Sequence, residues 1–448
     1  MIINNHLSKT KFSMAIMFFI GFTFFVLANC KGQNPSAVKP NIILIMADDL
    51  GYGGIGSYGE HRIKTPHLDA LTREGIKFTD FHSNGAVCTP TRAALLTGNY
   101  QQKSGLEGVI YAYNETRKTG LDTSQITIAK LLKNNGYRTG IMGKWHLGYQ
   151  KEYNPVYHGF DEFHGYVSGN IDYHSHIDGS GVYDWWHDLE IVEEEGYVTD
   201  LITQHSVNFI HENRDNPFFL YVAQESPHNP FQGRNDPALR SLGTGKYTPV
   251  QDKRRAYKEM VEVMDEGMGK IMGALEKNNL LENTLVFFLS DNGALPIGNN
   301  GGLNGKKALL LEGGHRVPAI AYWKGHISPG ESPETLITMD LLPTFLSVSR
   351  SQVPQDVKFD GRDFSKILFD PSKLEERTLF WRFRDQKAVR RKQWKLLINE
   401  SDTTLYDLHQ DLNERNDISN RHQDKVRNLV EEFEEWEKKI GQNQMKTF

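Results

Sequence analysis

The chain has 448 residues, 38% hydrophobic and 24% charged, enough apolar material for a sizeable core and unlike collagenous or disordered chains. At roughly 100–200 residues per domain, that suits two or three units, or one large α/β domain with an appendage. With 51 basic against 56 acidic residues, net −5, the chain lacks the charge of a protein that binds by neutralising phosphates, so no nucleic-acid partner is expected. Two cysteines leave no disulfide framework unless Cys30 and Cys88 pair.

Lys9 and Lys11 precede an apolar stretch from residue 14 to 28, interrupted only by Gly21 and Thr23. It is short for a membrane-spanning helix of about 20 residues and suits the core of an export signal. The stretch ends in Leu27-Ala28-Asn29-Cys30, which resembles a bacterial lipobox, with Asn29 where the usual pattern has Gly, Ala or Ser. The expectation is a signal over 1–29, a lipid on Cys30 and a polar tether over 30–39. The alternative is an ordinary cleaved signal with an incidental cysteine. Either way the chain is expected to work outside the cytoplasm. The lipid form would be a periplasmic or outer-membrane lipoprotein that meets the membrane only through its anchor.

Residues 40–46 (PNIILIM) form a short β-branched apolar run of the kind buried in a parallel sheet. A helix follows at Thr65-Pro66, with Thr65 capping, Pro66 in the first turn, and Leu68, Leu71 and Ile76 on one stripe. Residues 127–135 read as a helix closed by Gly136, and 255–276 as a long amphipathic one. Residues 137–142, 217–223, 284–290 and 317–323 read as strands. This alternation predicts an α/β catalytic domain over 40–350, with a mostly parallel central sheet flanked by helices. Beyond 350 the texture changes. Residues 379–383, 387–389, 395–398 and 404–408 suit a small antiparallel sheet. Val426, Leu429, Val430, Phe433, Trp436 and Ile440 then recur at helical spacing, giving a C-terminal subdomain over 351–448 with a closing helix.

Two apolar strands end in acidic residues, Asp48-Asp49 and Asp291-Asn292. Either pair could be a simple turn. Meeting at one sheet edge, where α/β folds place ligands, they would give three carboxylates and an amide oxygen, hard ligands suited to Ca²⁺ or Mg²⁺. Cys88 alone reads as a small buried hydrophobe. At a helix start, with Arg92 one turn on, it is also placed to hold an anion.

The run CTPTRAALLTG at 88–98 resembles the signature of the type I sulfatases, alkaline-phosphatase-like enzymes whose signature cysteine is oxidised to formylglycine (3-oxoalanine). PNIILIMADDLGYG, TPHLDAL, GKWHLG, GFDEFHGYVSGNIDYHSH, ESPHNP, LSDNG and LEGGHRVP resemble sulfatase segments in the family's order, from about residue 39 to 440. The GFDEFHGY…DYHSH stretch looks most like N-acetylgalactosamine-4-sulfatases (arylsulfatase B). The resemblance implies that Cys88, as formylglycine, is the nucleophile, held by Arg92. It implies one Ca²⁺ on Asp48, Asp49, Asp291 and Asn292, with the modified Cys88 beside it. Lys144, His146, His228 and Lys307 would surround the sulfate, Lys306 being the alternative second lysine. Implied partners are a sulfated carbohydrate substrate and a formylglycine-generating maturation enzyme. His174, in a loop dense in His, Asp and Tyr, and Arg382, on a basic edge reaching Arg391, are the candidates for touching the sugar. A phosphomonoester or phosphonate hydrolase on the same fold, and a non-catalytic sulfated-glycan binder with unmodified Cys88, are the alternatives.

Overall fold

The apolar run after Pro40 becomes the middle of a ten-stranded sheet in the computed structural model, which describes Met1 and residues 39–370, 373–400 and 402–441. The export signal, Cys30 and the tether as far as residue 38 lie outside the described residues. Among those described, no helix is long and apolar enough to cross a membrane.

In chain order the strands are β1 (Asn41–Ala47), β2 (Ile76–Phe78), β3 (Phe81–His82), β4 (Arg138–Lys144), β5 (Glu162–Tyr166), β6 (Trp186–His187), β7 (Glu190–Ile191), β8 (Phe218–Ala223), β9 (Thr284–Ser290), β10 (Ala319–Tyr322), β11 (Gly330–Ser332), β12 (Leu336–Ile337), β13 (Thr378–Phe383), β14 (Gln386–Arg391), β15 (Trp394–Asn399) and β16 (Asp402–Asp407). The large sheet runs β11-β2-β10-β9-β1-β8-β4-β5-β6-β7. Its middle, β9-β1-β8-β4-β5, is parallel throughout, and antiparallel strands extend it on both sides. β3 pairs with β12 in a separate two-stranded sheet.

Every residue of β1, β8 and β9 is buried. Side chains alternate between the two faces of a strand, and each face has its own core. Ile42, Leu44 and Met46 enter one, while Ile43, Ile45 and Ala47 enter the other. Both cores want apolar residues, which is why these strands read as continuous runs. Register then sets the chemistry. Ala47 lies opposite Ser290, Met46 opposite Ala223, and Ala223 opposite Gly143. Asp48, Asp291, Gln224 and Lys144 therefore leave the sheet at one level, along a single edge.

The Pro66–Glu74 helix forms where the sequence places it, but Thr65 does not cap it. The Thr65 hydroxyl accepts from the Gly56 N–H and donates to Asp69. Asp265, from the Lys253–Lys277 helix, takes the His67 and Leu68 N–H groups instead. The C-terminal strands β13–β16 form one antiparallel sheet. The closing Gln423–Ile440 helix buries Leu429, Phe433 and Trp436 in the core of this region. The described residues from Pro40 onward form one compact unit, so the small sheet is built into the larger body.

Candidate active site

The Cys88–Thr97 helix is buried along its whole length. A helix N-terminus carries unpaired N–H groups and partial positive charge, so its first residue faces a natural anion position. Cys88 is that residue. Its Sγ lies 3.3 Å from Asp48 Oδ1 and 3.5 Å from Lys307 Nζ. The neighbouring Thr89 hydroxyl donates to the His146 carbonyl at 3.2 Å and accepts from the Ile110 N–H, tying the helix start to the loop after β4.

Three cations face three carboxylates here. Lys144 pairs with Asp48 Oδ2, and Lys307 Nζ sits 2.7 Å from Asp49 Oδ1 and 2.8 Å from Oδ2. Arg92, one turn below Cys88, donates from Nη2 to Asp291 Oδ2 at 3.1 Å and from Nη1 to the Lys144 carbonyl at 3.1 Å. Lys307, not Lys306, is the lysine in the site. Asp49 and His146 both take left-handed backbone, φ 63° and 56°, a conformation non-glycine residues hold only where their surroundings fix it.

Burial pushes the Cys88 thiol well above its ordinary pKa, with Asp291 and Asp48 adding to it, so the unmodified sulfur stays protonated at neutral pH. Burial also raises the Asp291 carboxyl, helped by Asp48 and opposed by Arg92. For Lys307, burial is the largest effect and opposes the charge, but Asp49, Cys88 and Asp48 together hold the ammonium well above its ordinary value. The histidines go the other way. Burial and then Lys144 lower His146, while burial and then Lys307 lower His228, leaving both imidazoles neutral.

Their tautomers follow from their partners, since a carbonyl can only accept. His146 Nε2 faces the Ile110 carbonyl at 2.9 Å and must carry the proton, which leaves Nδ1 bare, buried and without a partner. His228 Nδ1 faces the Asn229 carbonyl at 2.6 Å, which leaves Nε2 as the bare nitrogen, 3.7 Å from Asp49 Oδ2.

The donor set also fits a metal ion. Ligand atoms of Asp48, Asp49, Cys88 and His228 lie within 4.8 Å of one another. Asn292 donates from Nδ2 to Asp49 at 2.6 Å, and its Oδ1 is buried with no partner, as expected of an amide oxygen kept for a cation. Asp291 completes the set, one oxygen on Arg92 and the other accepting the Asp49 N–H at 3.1 Å.

Above this floor opens a cavity of about 450 Å³. Cys88, His146, His228 and Lys307 line its base, and Tyr111 and Arg240 are among its wall residues. The two sugar-contact candidates are not there. Arg382 is 5% exposed and ion-paired with Glu107 and with Glu437, the latter at 2.9 Å, so its charge is spent on holding the closing helix. His174 bonds from Nε2 to the Gly233 carbonyl at 3.0 Å and leans on the Tyr197 ring. Phe383 and Arg384, just past Arg382, line the cavity in its place. Arg384 belongs to the basic edge expected from the sequence, whereas Tyr111, Tyr149 and Arg240 carried no sequence pattern, because loops far apart in the chain bring them together.

A parallel α/β sheet whose strand ends gather an anion-binding helix start, paired lysines and a metal-competent carboxylate cluster defines an alkaline-phosphatase-like hydrolase. Residues 40–350 match the sulfatase family, and 302–439 match the C-terminal region of N-sulphoglucosamine sulphohydrolase. An arylsulfatase of Hemicentrotus pulcherrimus is 33% identical over 379 residues, covering 79% of this chain and 66% of the relative. An N-acetylgalactosamine-6-sulfatase of Mus musculus is 34% identical over 385 residues, covering 80% and 71%. The chain thus spans about two thirds of the length of these curated relatives. The crystal structure of Ps i-CgsB with k-i-k-neocarrahexaose superposes with a TM-score of 0.80 at 31% identity, covering 92% of this chain and 94% of the other. This chain belongs to the sulfatase family, the sulfuric ester hydrolases.

Proposed function

We propose that this protein removes sulfate from a sulfated carbohydrate, using Cys88 converted to formylglycine and one Ca²⁺ held by Asp48, Asp49, Asp291 and Asn292. The observation that carries it is the placement of Cys88. It starts a buried helix on the cavity floor, between a carboxylate and an ammonium, with its own thiol held protonated. A protonated thiol is a poor nucleophile, so the position suits a modified side chain. Carbohydrate as the substrate is supported by the neocarrahexaose bound to the Ps i-CgsB neighbour.

When present, the hydrated aldehyde supplies a hydroxyl nucleophile, and the cation supplies charge neutralisation at the sulfate oxygens. The chain's own residues do the rest. Lys307, beside Sγ, and Lys144 meet the negative charge of the sulfate, and being buried they act in a low dielectric. Arg92 ion-pairs with Asp48 and Asp291 from beneath. His228 turns its bare Nε2 to the Asp49 and Lys307 side, and the Lys307 ammonium there carries the proton that a departing sugar oxygen needs. His146 offers bare Nδ1 as a proton acceptor for the release step.

The proposal includes export and lipid attachment at Cys30, supported by the sequence before residue 31, and maturation by a formylglycine-generating enzyme. Chelation followed by metal add-back tests the site. Turnover of an aryl sulfate should fall at least about a hundredfold and return with Ca²⁺. Stoichiometric zinc by elemental analysis, with no response to Ca²⁺, would contradict the oxygen-ligand assignment.

A further inference from the structure

The cavity is more cationic than one sulfate requires. None of its lining residues is a carboxylate, yet Arg240 and Arg384 join Lys307 among them. Neither arginine has an ion-pair partner among the described residues, unlike Arg382 next door. Arg240 is the more telling. It is 6% exposed, so its charge has largely left water without meeting a carboxylate. Nη1 donates to the Ile177 carbonyl at 3.1 Å, and the guanidinium lies over the Tyr247 ring at 5.3 Å. Nε is buried with no partner.

The side chain is also held from behind. Asp172 accepts four backbone N–H groups, from His174, Ser175, Leu239 and Arg240, at 2.7 to 3.0 Å. The Ser175 hydroxyl adds a bond to the Arg240 carbonyl at 3.0 Å. Asp172 thus clamps the 172–177 loop to the Arg240 segment, fixing the arginine before any ligand arrives. Such fixing lowers the ordering cost of binding. On the C-terminal side of the cavity, Arg384 stands on the β13–β14 turn at φ 54°, its guanidinium 5.1 Å from the Phe383 ring. Tyr111 and Tyr113, with ring centroids 5.3 Å apart, add an aromatic wall, and Tyr113 is 72% exposed.

We infer that Arg240, assisted by Arg384, binds a second oxyanion on the substrate, a sulfate or carboxylate carried by the same sugar or its neighbour, so that the enzyme selects polyanionic saccharides. An arginine fork matches either group bidentately, and tyrosine faces suit the sugar rings between the charges. This rests on the sulfatase reading above and names the substrate class for that site.

The test compares kcat/KM on a monosulfated disaccharide, the same disaccharide with a second sulfate, and one with a uronate in place of that second sulfate. A small aryl sulfate runs alongside. The parent enzyme should favour a doubly charged saccharide at least tenfold over the singly charged one. The preferred partner, sulfate or uronate, identifies the oxyanion. In Arg240→Met that ratio should fall at least tenfold, and in Arg384→Gln by a smaller factor. Arg384 is exposed, so its variant keeps the test open should Arg240→Met fold poorly by thermal melting. A parent with no preference, or a ratio untouched in both variants, overturns the inference. A parent with verified formylglycine that turns over no sulfate ester overturns the sulfatase reading itself.

Discussion

Two buried clusters in this protein have nearly the same composition and opposite uses. The active site sets Asp48, Asp49 and Asp291 against Arg92, Lys144 and Lys307. Beneath the C-terminal sheet, Asp80, Glu312 and Glu414 face Arg316, Arg390 and Lys395, with His82 and His315 between them. Each cluster contains side chains converged closely enough to hold a metal ion. In the second, the cation position is filled from within. Lys395 Nζ lies 2.9 Å from Glu312, 2.8 Å from Glu414 and 3.0 Å from His315 Nε2. Arg390 grips Asp80 with both arms of its fork, at 2.8 and 2.7 Å. The active site instead leaves Asn292 Oδ1, His146 Nδ1 and Arg92 Nε without partners and opens onto a cavity. Buried charge that is internally satisfied holds structure; buried charge left short of partners is placed for a ligand. The second cluster fastens β14 and β15 to the catalytic body, since Arg390 and Lys395 lie on those strands.

The sharpest way to break the comparison is to remove one lysine from each cluster. Lys307→Met should cost turnover about a hundredfold or more with little change in melting temperature. Lys395→Met leaves Glu312 and Glu414 buried and uncompensated, and should destabilise the fold by about 3–5 kcal/mol in denaturant titration. Turnover by its folded fraction should persist. Loss of stability in the first and of turnover in the second would reverse the assignment.

Acid should act on both clusters, since His146 and His228 are held neutral just as the structural histidines are. Burial, with Arg390 adding to it, lowers His82 against the pull of Glu312 and Asp80; burial and then Lys395 lower His315. The folded state keeps these imidazoles neutral at a pH where unfolded histidines, near 6.5, take up protons. The unfolded state then binds more protons, so stability declines as pH drops below about 6.5. A second decline follows below about 4, where the unfolded forms of Asp80 and Glu312 protonate; in the fold Arg390 and Lys395 outweigh burial and hold both carboxyls well below their ordinary range. His315→Gln should flatten the melting-temperature slope between about pH 7 and pH 5. An unchanged slope would place the titration elsewhere.

The smallest effects are expected at the two sugar-contact candidates that lie off the cavity. His174→Ala should change kcat/KM on any sulfated saccharide by less than about twofold. Arg382→Met should affect thermal melting more than kcat/KM, through its pairs with Glu107 and Glu437. A large change in substrate preference would return them to the binding surface.

What the sequence reveals follows the same division. The central strands are legible because both cores demand apolar residues at every position, as in β1, β8 and β9. The strands β3, β6 and β7, two residues each, are too short to show a period, and the Val198–Glu212 helix carries no signal that the reading used. The catalytic floor is legible because its residues sit at strand ends and at one helix start. Of the cavity wall, Arg384 is legible as part of the basic edge, but most other parts come from loops without a pattern. Arg382 misled for a geometric reason: along β13 successive side chains alternate faces, so Arg382 meets the closing helix while Phe383 meets the cavity. Arg384, beyond the strand at φ 54°, escapes that alternation.

The central claim is that Cys88 works as a modified residue, and mass analysis of the peptide carrying it, paired with aryl sulfate turnover of the same preparations, tests it most directly. Preparations made with and without a maturation enzyme should differ in the fraction of Cys88 that has exchanged thiol for aldehyde. Turnover should rise in proportion to that fraction and vanish in Cys88→Ala. Full turnover from protein whose Cys88 retains an intact thiol would contradict the account.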